Sequence, residues 1–122
     1  MEIYKATKQL KQAVDAFDLE FAVLASVDGT VLDLVNSENK DDFISLYNSS
    51  FYDEGVIMGL YEHLQASILP QMVSQGNKFS YLGVISGEYV YGVFGKTNKT
   101  GREQYIFSKE IDSLITDSLQ LE

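Results

Sequence analysis

Residues 79–94 read FSYLGVISGEYVYGVF, and this stretch decides the fold class. Two runs rich in aromatic and β-branched residues, 79–85 and 88–94, flank Ser86-Gly87. Such side chains suit a pleated, half-buried surface. A linker that short joins only antiparallel neighbours, so the stretch predicts a β-hairpin with a two-residue loop. Gly83 and Gly92 interrupt the runs, which predicts bulges or the close approach of a neighbouring group.

Working outward, residues 20–27, EFAVLASV, form a third extended run. Phe21, Val23, Ala25 and Val27 fall on one face, and Ala22, Leu24 and Ser26 on the other. Both faces are apolar or small, which predicts a central strand covered on both sides. Asp28-Gly29 then leads into TVLDLV, residues 30–35. Asp-Gly between two apolar runs predicts a second hairpin, closed by a type I′ turn.

Three stretches repeat at helical spacing. Residues 3–17 carry Ile3, Ala6, Leu10, Ala13, Val14 and Phe17 on one stripe. Residues 103–121 carry Phe107, Ile111, Leu114, Ile115 and Leu119, although Tyr105 and Ile106 also suit a strand before that helix. Residues 43–69 carry two faces. Phe43, Tyr47, Phe51, Met58, Tyr61, Leu64 and Ile68 make one, and Ile44, Val56, Ile57 and Leu60 the other. This predicts one continuous helix buried from two sides, started by Asn39 or Asp41 as N-cap and ended by Pro70. Gln71 to Ser74 reads equally as a short strand or a helix exit, and Gly76-Asn77 as a turn. Hairpins rather than crossovers link the strands, so residues 1–122 are expected to form a single α+β domain with an antiparallel sheet and helices on its faces.

Composition narrows the function. There are 18 acidic and 9 basic residues, a net charge of −9, which argues against nucleic acid and anionic membrane as partners. Two basic groups stand out, Lys5 with Lys8 and Lys11, and Lys96 with Lys99 and Arg102. Both read as solvated faces that could still dock an acidic partner. The chain has no Cys, which excludes disulfides and cysteine-based zinc sites. The first residues lack the apolar region of a secretion signal, and no apolar run reaches the roughly 18 residues of a membrane span. Direct membrane insertion is therefore not expected, and a cytoplasmic location is.

No motif specifies catalysis, a metal or a cofactor. His63 is the only histidine, and one His supplies one ligand of the usual three or four. Neighbours in Asp41-Asp42 and Asp53-Glu54 point about 100° apart on a helix and chelate poorly. Gly95-Lys96-Thr97 resembles the end of a phosphate-binding loop, but the pattern needs Gly where Val90 stands. Ser86 lies in a hairpin turn, without the strand-to-helix setting of a nucleophile elbow. The feature that points elsewhere is Gly55-Val56-Ile57-Met58-Gly59. Two glycines four apart line one helical face and let another backbone come close, at a cost of about 1 kcal/mol each against Ala.

The run FAVLASVDGTVLDL (21–34), a long helix, YLGVISGEYVYGVFG (81–95) and a terminal helix together resemble the roadblock family related to dynein light chains. The resemblance spans nearly the whole chain and carries no catalytic signature. It implies a profilin-like three-layer α/β/α sandwich: a roughly five-stranded antiparallel sheet, one long helix on one face and the N- and C-terminal helices on the other. It further implies homodimerisation through the long helix and a neighbouring edge strand, with a Ras-like small GTPase or a motor subunit as partner. Phe51, Tyr52, Gly55, Val56 and Gly59 are then candidates for the dimer or partner surface, and no residue is catalytic. The rival reading is a PAS- or profilin-like sensory domain holding a small ligand with Tyr81, Tyr89 and Tyr91.

Overall fold

The computed structural model describes residues 3–67, 70–97 and 101–120, with side chains to Thr116 in the last helix. The chain runs α1 (Ile3–Ala16), β1 (Phe21–Ser26), β2 (Val31–Val35), a 3-10 segment (Ser37–Phe43), α2 (Ile44–Phe51), α3 (Glu54–Gln65), β3 (Gln71–Gln75), β4 (Lys78–Ile85), β5 (Tyr89–Lys96) and α4 (Gly101–Gln120). The five strands form one antiparallel sheet in the order β2-β1-β5-β4-β3. A hairpin and a three-stranded meander are thus sewn together where β1 meets β5. This is the expected α+β sandwich.

Strand alternation divides two cores. Ala22 and Leu24 of β1 join Phe79, Tyr81, Tyr91 and Val93 under α1 and α4, where Leu10, Val14, Ile111 and Ile115 are buried. Phe21, Val23 and Ala25 join Leu82, Val90 and Phe94 under the 3-10 segment, α2 and α3, which contribute Phe43, Leu46, Phe51, Ile57 and Leu64. Both faces of β1 are covered, as its sequence requires. The glycines inside β4 and β5 are seats for rings. A Cβ at Gly83 would lie 2.5 Å from Tyr91, its cross-strand partner, and one at Gly92 would lie 2.7 Å from Phe51.

Several expectations are corrected. The helix expected over 43–69 is not continuous. α2 ends at Phe51, Tyr52 and Asp53 break the path, and α3 starts afresh at Glu54. Asp53 is extended (φ −150°, ψ 179°), and its carboxylate accepts the Val56 N–H at 2.9 Å, so an N-cap interrupts what the apolar spacing alone would continue. α3 stops at Gln65, five residues before Pro70; Ile68 lies outside the described residues. Asn39 and Asp41 cap nothing: they lie inside the 3-10 segment, and the Asn39 amide donates to the Glu20 carbonyl at 2.7 Å.

The two hairpin turns also differ in detail. Gly29 has φ +103°, but Asp28 does not share the left-handed conformation, so the first turn is not type I′. Val27 and Asp28 form the turn, the Gly29 N–H bonds the Ser26 carbonyl, and Gly29 supplies the left-handed residue that follows. In the second hairpin Ser86 (φ 56°) and Gly87 (φ 69°) are both left-handed. Ile85 pairs with Tyr89, which makes the loop three residues long rather than two. Residues 71–75 settle as the edge strand β3, and Tyr105 and Ile106 belong to α4.

Candidate functional site

The break before Asp53 decides which residues of the second layer reach solvent. Phe51, the last residue of α2, is buried. Its ring lies 6.5 Å from that of Phe94 and 5.8 Å from that of Tyr47, so it serves the domain's own core. Tyr52, one residue later, is 68% exposed. α3 then begins in a new phase. Ile57 and Leu64 point inward, Val56 is half-buried, and Gly55, Met58, Gly59 and Glu62 face outward. A Cβ at Gly59 would meet nothing within 4 Å, and one at Gly55 only the Asp53 carboxylate at 3.6 Å. These glycines therefore do not accommodate a neighbour within their own domain.

Of the five residues singled out from the sequence, Tyr52, Gly55 and Gly59 are exposed, Val56 is half-buried and Phe51 is buried. Met58 is the reverse case. It was placed on a buried stripe but is 45% exposed, because the two-residue break shifts the register of the helix. Asp53, followed by Glu54 in the first turn, was the signal that could have located the restart.

The start of α3 is held from below by the β1–β2 turn. Gly29 is buried against Glu54, and a side chain at position 29 would overlap the Glu54 Cγ, carbonyl oxygen and Cα. A glycine is needed there twice, for the left-handed backbone and for the close approach. Asp28 stiffens the turn by accepting the Ser26 hydroxyl and the Thr30 N–H. The Ser26 hydrogen bond is the main cause that lowers the Asp28 carboxyl below its ordinary 3.8.

The sheet ends in β3, which pairs with β4 and has no second neighbour among the described residues. Its sequence, Gln-Met-Val-Ser-Gln, contains no charge, and charge is one of the commonest devices that stop an edge from pairing. Leu60 and Tyr61 of α3 and Val73 of β3 are half-buried at the rim of the same core. An exposed, glycine-bare helix face and an uncharged strand edge therefore flank one core.

The tyrosines proposed for a ligand site pack differently. Tyr81 and Tyr91 are fully buried, and the ring of Tyr81 lies 4.4 Å from that of Phe79 and 6.2 Å from that of Phe107. The Tyr91 hydroxyl donates to the Asp112 carboxylate, pinning β5 to α4. Burial, and then the Asp112 charge, push Tyr91 well above its ordinary value, and burial pushes Tyr81 up to about 12. An open depression of about 490 Å³ lies elsewhere, on the outer face of α4 between Tyr105, Ile106, Lys109, Glu110 and Ser113. Among the described residues no group of three or more His, Cys, Asp or Glu is placed to hold a metal ion, and no helix is long and apolar enough to cross a membrane.

No family model and no curated protein matches the sequence. Solved structures do match the fold. Myxococcus xanthus MglB superposes over 100% of both chains with a TM-score of 0.61 at 13% identity. The Streptomyces avermitilis Roadblock/LC7 domain covers 94% of this chain and 97% of its own, with a TM-score of 0.57 at 16% identity. The fold is that of the roadblock/LC7 domain. Myxococcus xanthus MglC shares it, with a TM-score of 0.59 at 11% identity over 91% of this chain and 97% of its own. At these identities the roadblock/LC7 likeness concerns backbone architecture.

Proposed function

We propose that this chain is a non-catalytic, cytoplasmic protein-interaction module that forms a homodimer and regulates or scaffolds a Ras-like small GTPase. The observation that carries the self-association is the bare face of α3 together with the uncharged edge of β3. Gly55 and Gly59 lower helix stability without relieving any contact inside the domain, so a close approach from outside gives them a purpose. Two β3 edges can pair across a two-fold axis, joining two sheets, while the α3 faces meet alongside. Tyr52, Gly55, Val56, Met58 and Gly59 would line that contact. Phe51 would support it from within.

The GTPase part rests on the roadblock resemblance and on the shared fold. A module of this kind would hold the switch segments of its partner, and the phosphoryl chemistry would stay in the partner. Size exclusion with light scattering tests the first part. The chain should run as a dimer at micromolar concentration, and Gly59→Leu should run as a folded monomer, because a close contact does not tolerate that bulk. A monomeric wild type, or a Gly59→Leu variant that stays dimeric, overturns the interface. Pull-down with a small GTPase loaded with either nucleotide tests the second part, which fails if recovery is nil or equal in the two states.

A further inference from the structure

Three lysines come together at one end of the sheet, remote from one another in sequence. Lys40 lies in the 3-10 segment, Lys78 opens β4 and Lys96 closes β5. Lys78 and Lys96 stand directly opposite each other in the antiparallel β4–β5 pair. Their ammonium groups lie 5.7 and 6.0 Å from the centroid of the Phe43 ring. Lys40 lies 4.4 Å from the centroid of Tyr47, one helical turn further along. In a chain with 9 basic and 18 acidic residues, a third of the cations meet around two neighbouring rings.

We propose that Lys40, Lys78 and Lys96 form a docking patch for a short carboxylate-rich segment of a partner protein. Like charges directly across a strand pair are destabilising, and the domain retains such a pair here. No carboxylate is ion-paired with Lys78 or Lys96 among the described residues, although Glu38, Asp41 and Asp42 flank Lys40 in the 3-10 segment and belong to the local charge balance. Lys78 donates to the backbone carbonyl of Asp42 at 2.5 Å, not to its side chain. The rings hold the ammonium groups by their faces, and each ammonium has three donors, so outward donors remain for a ligand.

Reach decides which anion fits. Fields between exposed charges fade over about 8 Å at physiological salt. A short acidic segment therefore senses the three lysines, whereas an extended polyanion or an anionic membrane also meets the net charge of −9. Lysines, as point charges without the planar fork of arginine, suit carboxylates delivered in variable orientation. The patch is distinct from the α3 face, and the proposal stands whether or not that face mediates dimerisation.

The test uses the full chain and a dye-labelled peptide of alternating Glu and Gly, read by fluorescence anisotropy at low and high salt. The expected result is binding at low salt that high salt abolishes. Lys78→Glu with Lys96→Glu should weaken it by about tenfold or more, while Lys8→Glu with Lys11→Glu on α1, an identical change in net charge, should leave it within about twofold. Lys78→Gln with Lys96→Gln, checked by circular dichroism, carries the test if the reversed pair disturbs folding. The proposal is overturned if the peptide does not bind, if a Gln-Gly peptide binds as well, or if both charge-reversed variants weaken binding equally. Tighter binding of single-stranded RNA or anionic phospholipid vesicles than of the peptide would also overturn it. So would loss of self-association as the sole effect of the Lys78 and Lys96 changes, since the occupant would then be a second copy.

Discussion

The same substitution, Gly→Ala, should have opposite signs at two positions of this domain. At Gly59 the added methyl projects from an exposed helical face and meets nothing within 4 Å. Only backbone terms then change. Alanine restricts the unfolded chain and favours the helix, a gain of about 0.5–1 kcal/mol. At Gly92 the methyl would lie 2.7 and 3.0 Å from two atoms of the Phe51 ring and 3.2 Å from Val23. That ring is itself fixed, packed on Tyr47 and Phe94. Overpacking of this kind costs about 1–3 kcal/mol, which exceeds the roughly 0.5–1 kcal/mol gained from lower chain entropy.

Thermal or urea unfolding, run at several protein concentrations to separate association from folding, reads both effects. Gly59→Ala should raise the melting temperature by roughly 2–6 °C at the lowest concentration, and Gly92→Ala should lower it. Phe51→Leu should make Gly92→Ala less harmful than it is in the wild type, because the obstructing ring is gone and the two sites couple. A neutral Gly92→Ala would refute the account of the glycines inside β4 and β5 as seats for rings. A destabilising Gly59→Ala at low concentration would refute the claim that this glycine has no structural role within its own domain.

Three further outcomes follow from the geometry. Asp53→Ala removes the N-cap of α3 and should cost about 1 kcal/mol, with faster amide exchange confined to the first turn of that helix. Ser26→Ala removes the main cause of the depressed Asp28 carboxyl, so its titration followed by NMR should move up toward 3.8. Because the folded value lies below the unfolded one, whatever stability Asp28 contributes is present above that ordinary value and fades as pH falls through the folded value. For the buried tyrosines the sign is reversed. Tyr81, pushed up to about 12, and Tyr91, held well above 10.0, resist ionisation inside the fold, so stability is unaffected by them below pH 10.0 and falls as pH rises from there through their folded values. Tyr81→Phe should shift the alkaline unfolding midpoint upward. It should not destabilise the fold at neutral pH, because the Tyr81 hydroxyl is buried without a partner.

What the sequence could disclose was set by range. Alternation over Phe21–Ala25 separated the two cores correctly because a two-residue period is a purely local property of extended backbone. The α1 stripe was legible over Ala6, Leu10, Ala13 and Val14, whereas Ile3 at its start is exposed and Phe17 lies past the end of the helix. The break at Tyr52–Asp53 was local too, but two signals competed there. Apolar residues recur across it, Phe51 and Met58 being seven apart, and that spacing masked an N-cap aspartate followed by an acidic first turn. The turn at Val27–Gly29 was misjudged for a related reason. Asp-Gly signals a hairpin, but the turn type depends on register, and β1 and β2 carry an irregularity between Leu24 and Ala25 that sequence does not announce. The Tyr91–Asp112 bond depends on how distant segments dock, so no local pattern could reveal it, whereas the pairing of Lys78 with Lys96 follows from the register of the β4–β5 hairpin, whose loop is one residue longer than its sequence suggests.

The break also changes what must drive any self-association. A continuous rod over 43–69, with apolar side chains on two faces, would carry more apolar surface than one domain could cover. Instead Phe43, Tyr47, Phe51, Ile57 and Leu64 are consumed by the core, and among the described residues the helical layer leaves Ile44, Tyr52 and Met58 as large exposed apolar side chains. Fully burying one such side chain contributes about 1.5–3 kcal/mol, while association costs about 4–15 kcal/mol in lost freedom. Three partly exposed side chains per copy do not clear that cost comfortably, and they are not contiguous along one stripe. What remains is backbone. Gly55 and Gly59 allow a second helix to pack with dispersion contacts along the main chain, and the five residues of β3 offer hydrogen bonds that no charge discourages. Recognition built this way depends on the absence of side chains more than on their presence. One added Leu at position 59 is therefore a sharper perturbation than the removal of Met58.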